Sequence, residues 1–71
     1  MAQGKVKWFD ARRGYGFLTD EAGDVFLHRR ILQKIGMRRI EPGRLVEFEY
    51  ELTPKGRKAT WIRLLPPSQD S

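Results

Sequence analysis

The 71-residue sequence predicts a small all-β protein, a five-stranded antiparallel barrel. Short stretches of alternating apolar and polar residues recur along the chain, and turn-forming residues separate them. No stretch has the length and periodicity of a long helix. A chain of this length forms one domain, and its core is too small to cover both faces of its sheet. We assign residues 1–65 to the barrel and expect residues 66–71 to form a disordered tail.

The first three strands follow one another closely and are expected to form a meander. They cover residues 4–10, 15–19 and 24–28. Strict alternation in the first strand places Val6 and Trp8 on the same face of the sheet. A buried Val6 and an exposed Trp8 therefore require a β-bulge or a strong twist between them.

A long connection follows the third strand. Ile31, Leu32 and Ile35 have the spacing of about one helical turn, which Gly36 ends. A connection of this length fits a crossover that caps the end of a small barrel.

The last two strands complete the barrel. The fourth strand, from residue 45 onward, alternates apolar residues with three glutamates, which predicts an acidic outer face. The fifth strand covers residues 58–65, and strict alternation places Ala59, Trp61 and Arg63 on its outward side. There Trp61 either covers the barrel exterior or contacts a partner.

The second and third strands place flat rings on one face of the sheet. Tyr15 and Phe17 share a face, as do Phe26 and His28, while aliphatic residues occupy the opposite face. Since the aliphatic face supplies the core, we expect the ring face to be exposed. The alternative for any one ring is core packing, because aromatic residues are common inside sheets. An exposed row of rings flanked by basic residues is typical of a surface on which nucleobases stack.

The charge balance favours a polyanionic partner. The chain has 14 Lys and Arg residues against 9 Asp and Glu, a net charge of +5. Nucleic acid is the first candidate and an anionic membrane the second. The cations beside or between the rings are Lys5, Lys7, Arg12, Arg13, Arg29 and Arg30.

Several classes of function are not expected. The chain has no cysteine and one histidine, which argues against a disulfide framework and a zinc site. No stretch approaches the roughly 18 apolar residues of a membrane span, and a cytoplasmic location is the default. His28 has no evident nucleophile beside it, and a polar turn explains Asp20 and Glu21. We therefore expect no enzyme activity, no metal, no cofactor, no membrane partner and no small-molecule substrate.

Five short strands with a long third connection are typical of the oligonucleotide/oligosaccharide-binding barrel, the OB fold. The alternative fold is the RNA-recognition motif, whose first signature also reads basic-Gly-aromatic-Gly-Phe, as residues 13–17 do. However, Asp20 stands where that signature has an aromatic ring, and the two amphipathic helices that back its sheet are missing. The barrel is therefore preferred.

Three stretches of the chain resemble the bacterial cold-shock protein family. They are Gly-Lys-Val-Lys-Trp-Phe at residues 4–9, Arg-Gly-Tyr-Gly-Phe-Leu at 13–18 and Asp-Val-Phe-Leu-His at 24–28. Glu-Pro-Gly-Arg-Leu-Val at residues 41–46 is similar to the family's entry to the fourth strand. The resemblance implies a five-stranded barrel that binds single-stranded DNA and RNA with little sequence demand. It also implies an RNA chaperone that regulates transcription or translation.

The same resemblance implies particular binding residues. The stacking platform would consist of Trp8, Tyr15, Phe17, Phe26 and His28, with Phe9 at its rim. Lys7 and Arg13 would approach the backbone or cover a base, and Asp24 would hydrogen-bond a base edge. The core implied in this way consists of Val6, Leu18, Val25, Leu27, Val46 and Ile62.

The chain departs from the family pattern at Arg29, at Met37, at Trp61, where the family commonly has a small polar residue, and in the last turn. Arg29 stands where the family usually has an aromatic residue, and Met37 where a loop phenylalanine is common. Arg29 can still stack or pair with phosphate, and Met37 can offer apolar contact. With Arg30, Arg38 and Arg39 nearby, we expect charge to replace some of the stacking, which makes binding unusually salt-sensitive.

The last turn, Lys-Gly-Arg-Lys at residues 55–58, is more basic than usual and either follows the bound strand or forms an exposed tip. Its expected binding residues are Lys55 and Arg57.

Two functions remain open from the sequence. The first is binding of single-stranded DNA and RNA by a monomer, through base stacking. The second is a small barrel that docks a protein or ribosomal partner through the same aromatic and basic surface. The stacking hypothesis leaves base preference open, because every base has a face that can stack.

Overall fold

The computed structural model describes residues 2–66 and shows a closed five-stranded barrel. Its strands are β1 (Ala2–Asp10), β2 (Tyr15–Asp20), β3 (Gly23–His28), β4 (Leu45–Thr53) and β5 (Gly56–Leu64). A short helix, α1 (Arg29–Gln33), follows β3. The predicted all-β barrel is confirmed. Of the tail predicted at residues 66–71, only Pro66 lies within the described residues.

The strands close in the order β1-β2-β3-β5-β4, and β4 returns to β1. The first three strands form the predicted antiparallel meander, and β4 pairs antiparallel with both β1 and β5. The junction between β3 and β5 is instead parallel, over the pairs Val25 with Arg57 and Phe26 with Lys58. It arises because the long connection through α1 carries the chain across the barrel before β4 begins.

A β-bulge at Lys7 turns Val6 and Trp8 to opposite faces of β1. Val6 pairs with Leu18 and Trp8 with Phe17, which leaves Lys7 as the extra residue. The extra residue reverses the alternation of the strand. Val6 is therefore buried, whereas Trp8 is 37 % exposed on the outer face.

A second irregularity, at Thr60, interrupts the alternation expected for β5. Trp61 pairs with Glu49 and Ala59 with Tyr50, so that Thr60 is passed over in the register. Ala59 and Ile62 are consequently both buried. The expectation that Ala59 faces outward is wrong, because alternation assumes a regular strand. Trp61 is half-buried opposite the exposed Glu49.

The core is aliphatic except for one ring. Its buried side chains are Val6, Leu18, Val25, Leu27, Ile31, Leu32, Ile40, Val46, Phe48, Ala59 and Ile62. All six core residues implied by the resemblance are among them. The connection contributes Ile31 and Leu32 from α1, which contacts β3 and β5. Each such side chain stabilises the fold by about 1.5–3 kcal/mol relative to exposure.

Arg57 holds the β4–β5 hairpin against the turn between β2 and β3. Its guanidinium donates to both carboxylate oxygens of Asp20, at 2.7 and 3.1 Å, and to the Gly23 carbonyl at 2.9 Å. The same guanidinium lies 4.8 Å from the centroid of the Tyr50 ring. Both partners of the ion pair are only 13 % exposed. The hydrogen bond with Arg57 lowers the pKa of Asp20 from its ordinary value.

We expect Asp20→Asn to reduce the free energy of unfolding by about 1.5–3 kcal/mol at pH 7, the range for hydrogen bonds to charged groups. Because the pKa of Asp20 is lowered in the folded state, the stabilisation is present above the ordinary aspartate pKa of about 3.9. It is lost as the pH falls through the folded pKa. In urea denaturation, the difference between wild type and variant should therefore shrink from pH 7 to pH 2.

Glu47→Gln is the matched control for this experiment. It breaks an ion pair whose arginine, Arg63, is 61 % exposed, and such pairs contribute about 0–1 kcal/mol. Equal effects of the two variants, or a loss in Asp20→Asn that does not change with pH, would contradict the bracing role of the Asp20–Arg57 pair.

Candidate nucleic-acid interface

Five rings form a continuous row, the ring row, across the outer face of β1, β2 and β3. Centroids lie 5.5 Å apart for Trp8 and Phe17, 5.7 Å for Phe17 and Phe26, and 6.5 Å for Phe26 and His28. Tyr15 lies 5.7 Å from Trp8 and 5.8 Å from Phe26. The structure thus brings together the five rings that the sequence singled out, and the bulge at Lys7 is what adds Trp8.

The ring row is open to solvent because the core lies behind it. Leu18, Val25 and Leu27 alternate with the rings along β2 and β3 and are fully buried. Tyr15, Phe17, Phe26 and His28 are half-buried, each against its neighbours in the row. The row is therefore an accessible aromatic surface, of the kind on which unpaired bases stack.

Phe9 lies on the opposite side of β1 from the ring row. It pairs with the buried Gly16 and packs against the core. A Cβ on Gly16 would collide with the carbonyl oxygen of Trp8 and lie 2.6 Å from the Cα of Phe9. Only glycine allows β1 and β2 this close approach. Phe9 supports the row from behind, and its direct contact with a base stays a prediction.

Lys7 and Asp24 form an ion pair beside the ring row. The Lys7 ammonium donates to Asp24 Oδ2 at 2.9 Å, and the side chains are 51 % and 43 % exposed. The hydrogen bond with Lys7 lowers the pKa of Asp24, and Thr19 and Arg57 add smaller effects in the same direction. A base edge or phosphate that engages either group must replace this exposed pair, which is weak because solvent screens both charges.

Arg13 projects from the turn between β1 and β2. The Asp10 carboxylate accepts the backbone N–H groups of Arg12 and Arg13 at 2.9 and 3.2 Å and so shapes this turn. The Arg13 guanidinium donates to the Tyr15 hydroxyl at 3.5 Å, which raises the pKa of Arg13. The side chain is 71 % exposed and remains charged beside the ring row.

His28 ends the ring row and caps α1. Its Nδ1 accepts the backbone N–H of Arg30 at 3.0 Å. In the neutral ring, Nε2 therefore carries the proton and is a donor. The cap thus sets both the orientation and the tautomer of the last ring in the row.

Arg29 and Met37 lie together beyond His28. They line a cavity of about 300 Å³ with Gln33 and Arg38. The exposed Arg29 side chain passes over Gly14, where a Cβ would lie 2.9 Å from its Cδ. Met37 packs partly against the core. Guanidinium groups and one thioether thus stand at this end of the row.

The last turn places its two predicted binding residues differently. Lys55 is exposed and lines a groove of about 620 Å³ whose other wall includes Phe17 and Phe26. Arg57 is held by Asp20 and is mostly buried. It points this way because it pairs across the parallel junction with the buried Val25 of β3, and paired residues share one side of the sheet. A direct contact between Arg57 and nucleic acid would have to replace the internal ion pair.

Lys58 ends the basic turn, residues 55–58, that the sequence offered as a path for the bound strand. It is exposed, and the parallel junction places it directly beside Phe26. No local pattern relates the third strand to the fifth, so the sequence carried no signal for this neighbour.

Within residues 2–66, no helix is long and apolar enough to cross a membrane. The same residues contain no group of three or more His, Asp or Glu side chains placed to hold a metal ion.

Fold and surface together define a small OB-type barrel with an open aromatic face. The sequence matches the family model of the "cold-shock" DNA-binding domain over residues 2–65. The chain belongs to the cold-shock domain family. This family binds nucleic acid, which confirms that the protein is a nucleic-acid-binding protein and not an enzyme.

Curated relatives match along nearly their whole length. A "probable cold shock protein A" of Mycobacterium tuberculosis is 48 % identical over 67 residues, 92 % of this chain and 100 % of the relative. A "cold shock-like protein" of Thermotoga maritima is 44 % identical over 64 residues, 89 % of this chain and 97 % of the relative. A "cold shock-like protein CspA" of Stigmatella aurantiaca is 43 % identical over 68 residues, 93 % and 100 % of the two chains.

We expect Lys7→Gln to raise the pKa of Asp24 toward its ordinary value, because the variant lacks the ammonium that stabilises the carboxylate. The pKa is read from the carboxyl-carbon chemical shift of Asp24 in an NMR titration. Lys55→Gln removes the same charge without touching the pair and should leave the pKa of Asp24 nearly unchanged. Equal changes in the two variants would contradict the ion pair.

Proposed function

We propose that this protein binds single-stranded DNA and RNA with low sequence specificity and acts as an RNA chaperone. In this proposal it works as a monomer in the cytoplasm, without a cofactor, and modulates transcription or translation. The continuous row of rings from Trp8 to His28 is the observation that supports it.

Stacking on the ring row selects unpaired strands. A base stacked on an aromatic ring contributes about 1–3 kcal/mol, and every base has a face that can stack. Bases inside a duplex already stack on one another and cannot reach the rings. The row therefore discriminates single from double strands while it tolerates many sequences.

In this proposal, exposed charged side chains around the ring row contact the phosphates and base edges of the strand. Arg13 and Lys55 stand at two sides of the row, Arg29 stands at its end, and Lys7 and Asp24 flank its middle. Cations attract the backbone without reading sequence. Because arginine stands at the end of the row, we expect a plot of log K against log salt steeper than for one or two neutralised phosphates, at about −0.7 each.

The chaperone activity follows from this selectivity by mass action. A protein that binds only the open strand shifts the melting equilibrium of a hairpin without energy input. At a concentration 100 times its Kd, one bound protein stabilises the open form by about 2.7 kcal/mol. Weak secondary structure opens, and strong helices stay closed.

We expect Phe17→Ala and Phe26→Ala each to weaken binding to oligothymidine by about 5- to 150-fold, the equivalent of about 1–3 kcal/mol per stacked base. Binding is measured by quenching of Trp8 fluorescence in a Trp61→Phe background. A duplex of equal length should quench little. Thermal unfolding shows whether each variant is folded.

Leu52→Ala is the matched control, because Leu52 is an apolar side chain of β4 that is 80 % exposed. Because Leu52 does not line the groove that Lys55 shares with Phe17 and Phe26, the variant should leave the affinity within about twofold, as surface substitutions usually do. Equal weak binding to single strand and duplex, unaffected by the ring substitutions, would instead favour the docking of a protein or ribosomal partner.

We expect the protein to open an RNA hairpin of about 2 kcal/mol stability that exposes one binding site, and to leave one of about 6 kcal/mol closed, at 100 times its Kd. Opening is measured as the separation of a fluorophore and quencher at the hairpin ends, without nucleotide triphosphate. Phe17→Ala at the same concentration should open less. Opening of both hairpins, or of neither, would contradict the mass-action mechanism.

A further inference from the structure

A second groove, here called the α1–β5 groove, begins where the ring row ends. It has a volume of about 300 Å³ and lies between β3, α1 and β5. Phe26 and His28, the last two rings of the row, line one side of it. The groove is therefore continuous with the candidate interface, and Lys58, which lies beside Phe26, stands where the two meet.

Three exposed cations line the α1–β5 groove. Arg30 and Lys34 stand one helical turn apart at α1, and Lys58 lies beside Phe26 across the parallel junction. Among residues 2–66, the ion pairs engage other cations, so these three charges face solvent. Glu51 is the one carboxylate in the lining, and the groove remains net positive.

The short helix separates this groove from the cavity of Arg29. Arg29 and Gln33 line that cavity, Arg30 and Lys34 line the α1–β5 groove, and the two residues between them are buried. Residues four apart share a helix face, which is why each cavity receives one such pair. The groove is thus a surface of its own, formed only because α1 packs beside β5.

We propose that the α1–β5 groove binds the sugar-phosphate backbone of the single strand where it continues past the bases stacked on Phe26 and His28. This inference rests on the proposed function. Continuity with the ring row and charge complementarity both support it. Single-strand sites on OB folds range from about 4 to 16 nucleotides, so a strand long enough to leave the row is an ordinary ligand.

An acidic protein segment is the competing occupant. It would satisfy the three cations, but it would make no use of the aromatic rings that form the groove's entrance. A nucleic-acid strand uses both, because its bases stack on the rings while its phosphates meet the cations. The groove therefore fits nucleic acid better.

The test compares a long and a short oligothymidine in the Trp61→Phe background. Arg30→Gln combined with Lys34→Gln should weaken binding of a 12-mer about tenfold at 0.1 M salt. It should also make the slope of log K against log salt shallower by about 1.4, or about 0.7 for each of the two phosphates that the variant no longer neutralises. Binding of a 4-mer, which the ring row accommodates, should change by less than about twofold.

Arg39→Gln combined with Arg63→Gln is the matched control, since it removes two positive charges outside the groove. If the control weakens 12-mer binding as much as the groove variant does, net charge alone determines the affinity, and the proposed binding of the backbone in the groove is wrong. If hexaglutamate binds wild type but not the groove variant, and 12-mer binding is unchanged, the groove belongs to an acidic protein segment and the proposal is wrong. Failure of wild type to bind even the 4-mer would overturn the proposed function as well.

Discussion

The structure depends on a core that occupies only one side of its sheet. A chain of 71 residues buries too little surface to cover both faces, and its aliphatic side chains fill the interior of the barrel. The rings that alternate with them along β2 and β3 are consequently left outside. Core packing and the proposed stacking of bases therefore use the two faces of the same strands, and the core supports the ring row from behind.

Small irregularities of the backbone decide which rings join the row. The bulge at Lys7 brings Trp8 to the outer face and turns Phe9 toward the core. Gly16 lets β1 and β2 approach closely enough for Trp8 and Phe17 to meet. The extra residue Lys7 and the missing side chain at Gly16 thus give β1 and β2 a continuous row of exposed rings.

Closure of the barrel directs basic residues that are neighbours in the sequence to different surroundings. At the parallel junction, Arg57 points inward and braces two turns through Asp20, while its neighbour Lys58 points outward beside Phe26. Likewise α1 directs Arg29 and Arg30 to different cavities. Cations that are adjacent in the sequence therefore have different roles: one stabilises the fold, and the others extend a positively charged path away from the rings.

Much of this protein could be predicted from local pattern. Alternation and turn residues determine the five strands and the meander, because these depend on neighbours along the chain. The six core residues came instead from the resemblance to the cold-shock family. The sharing of a face by Tyr15 and Phe17, and by Phe26 and His28, follows from the same alternation. The tertiary structure alone decided the parallel junction, the inward turn of Arg57, the burial of Ala59 and the groove beside α1. Each depends on strands distant in sequence, or on an irregularity that alternation does not encode, and so each becomes visible only when the barrel closes.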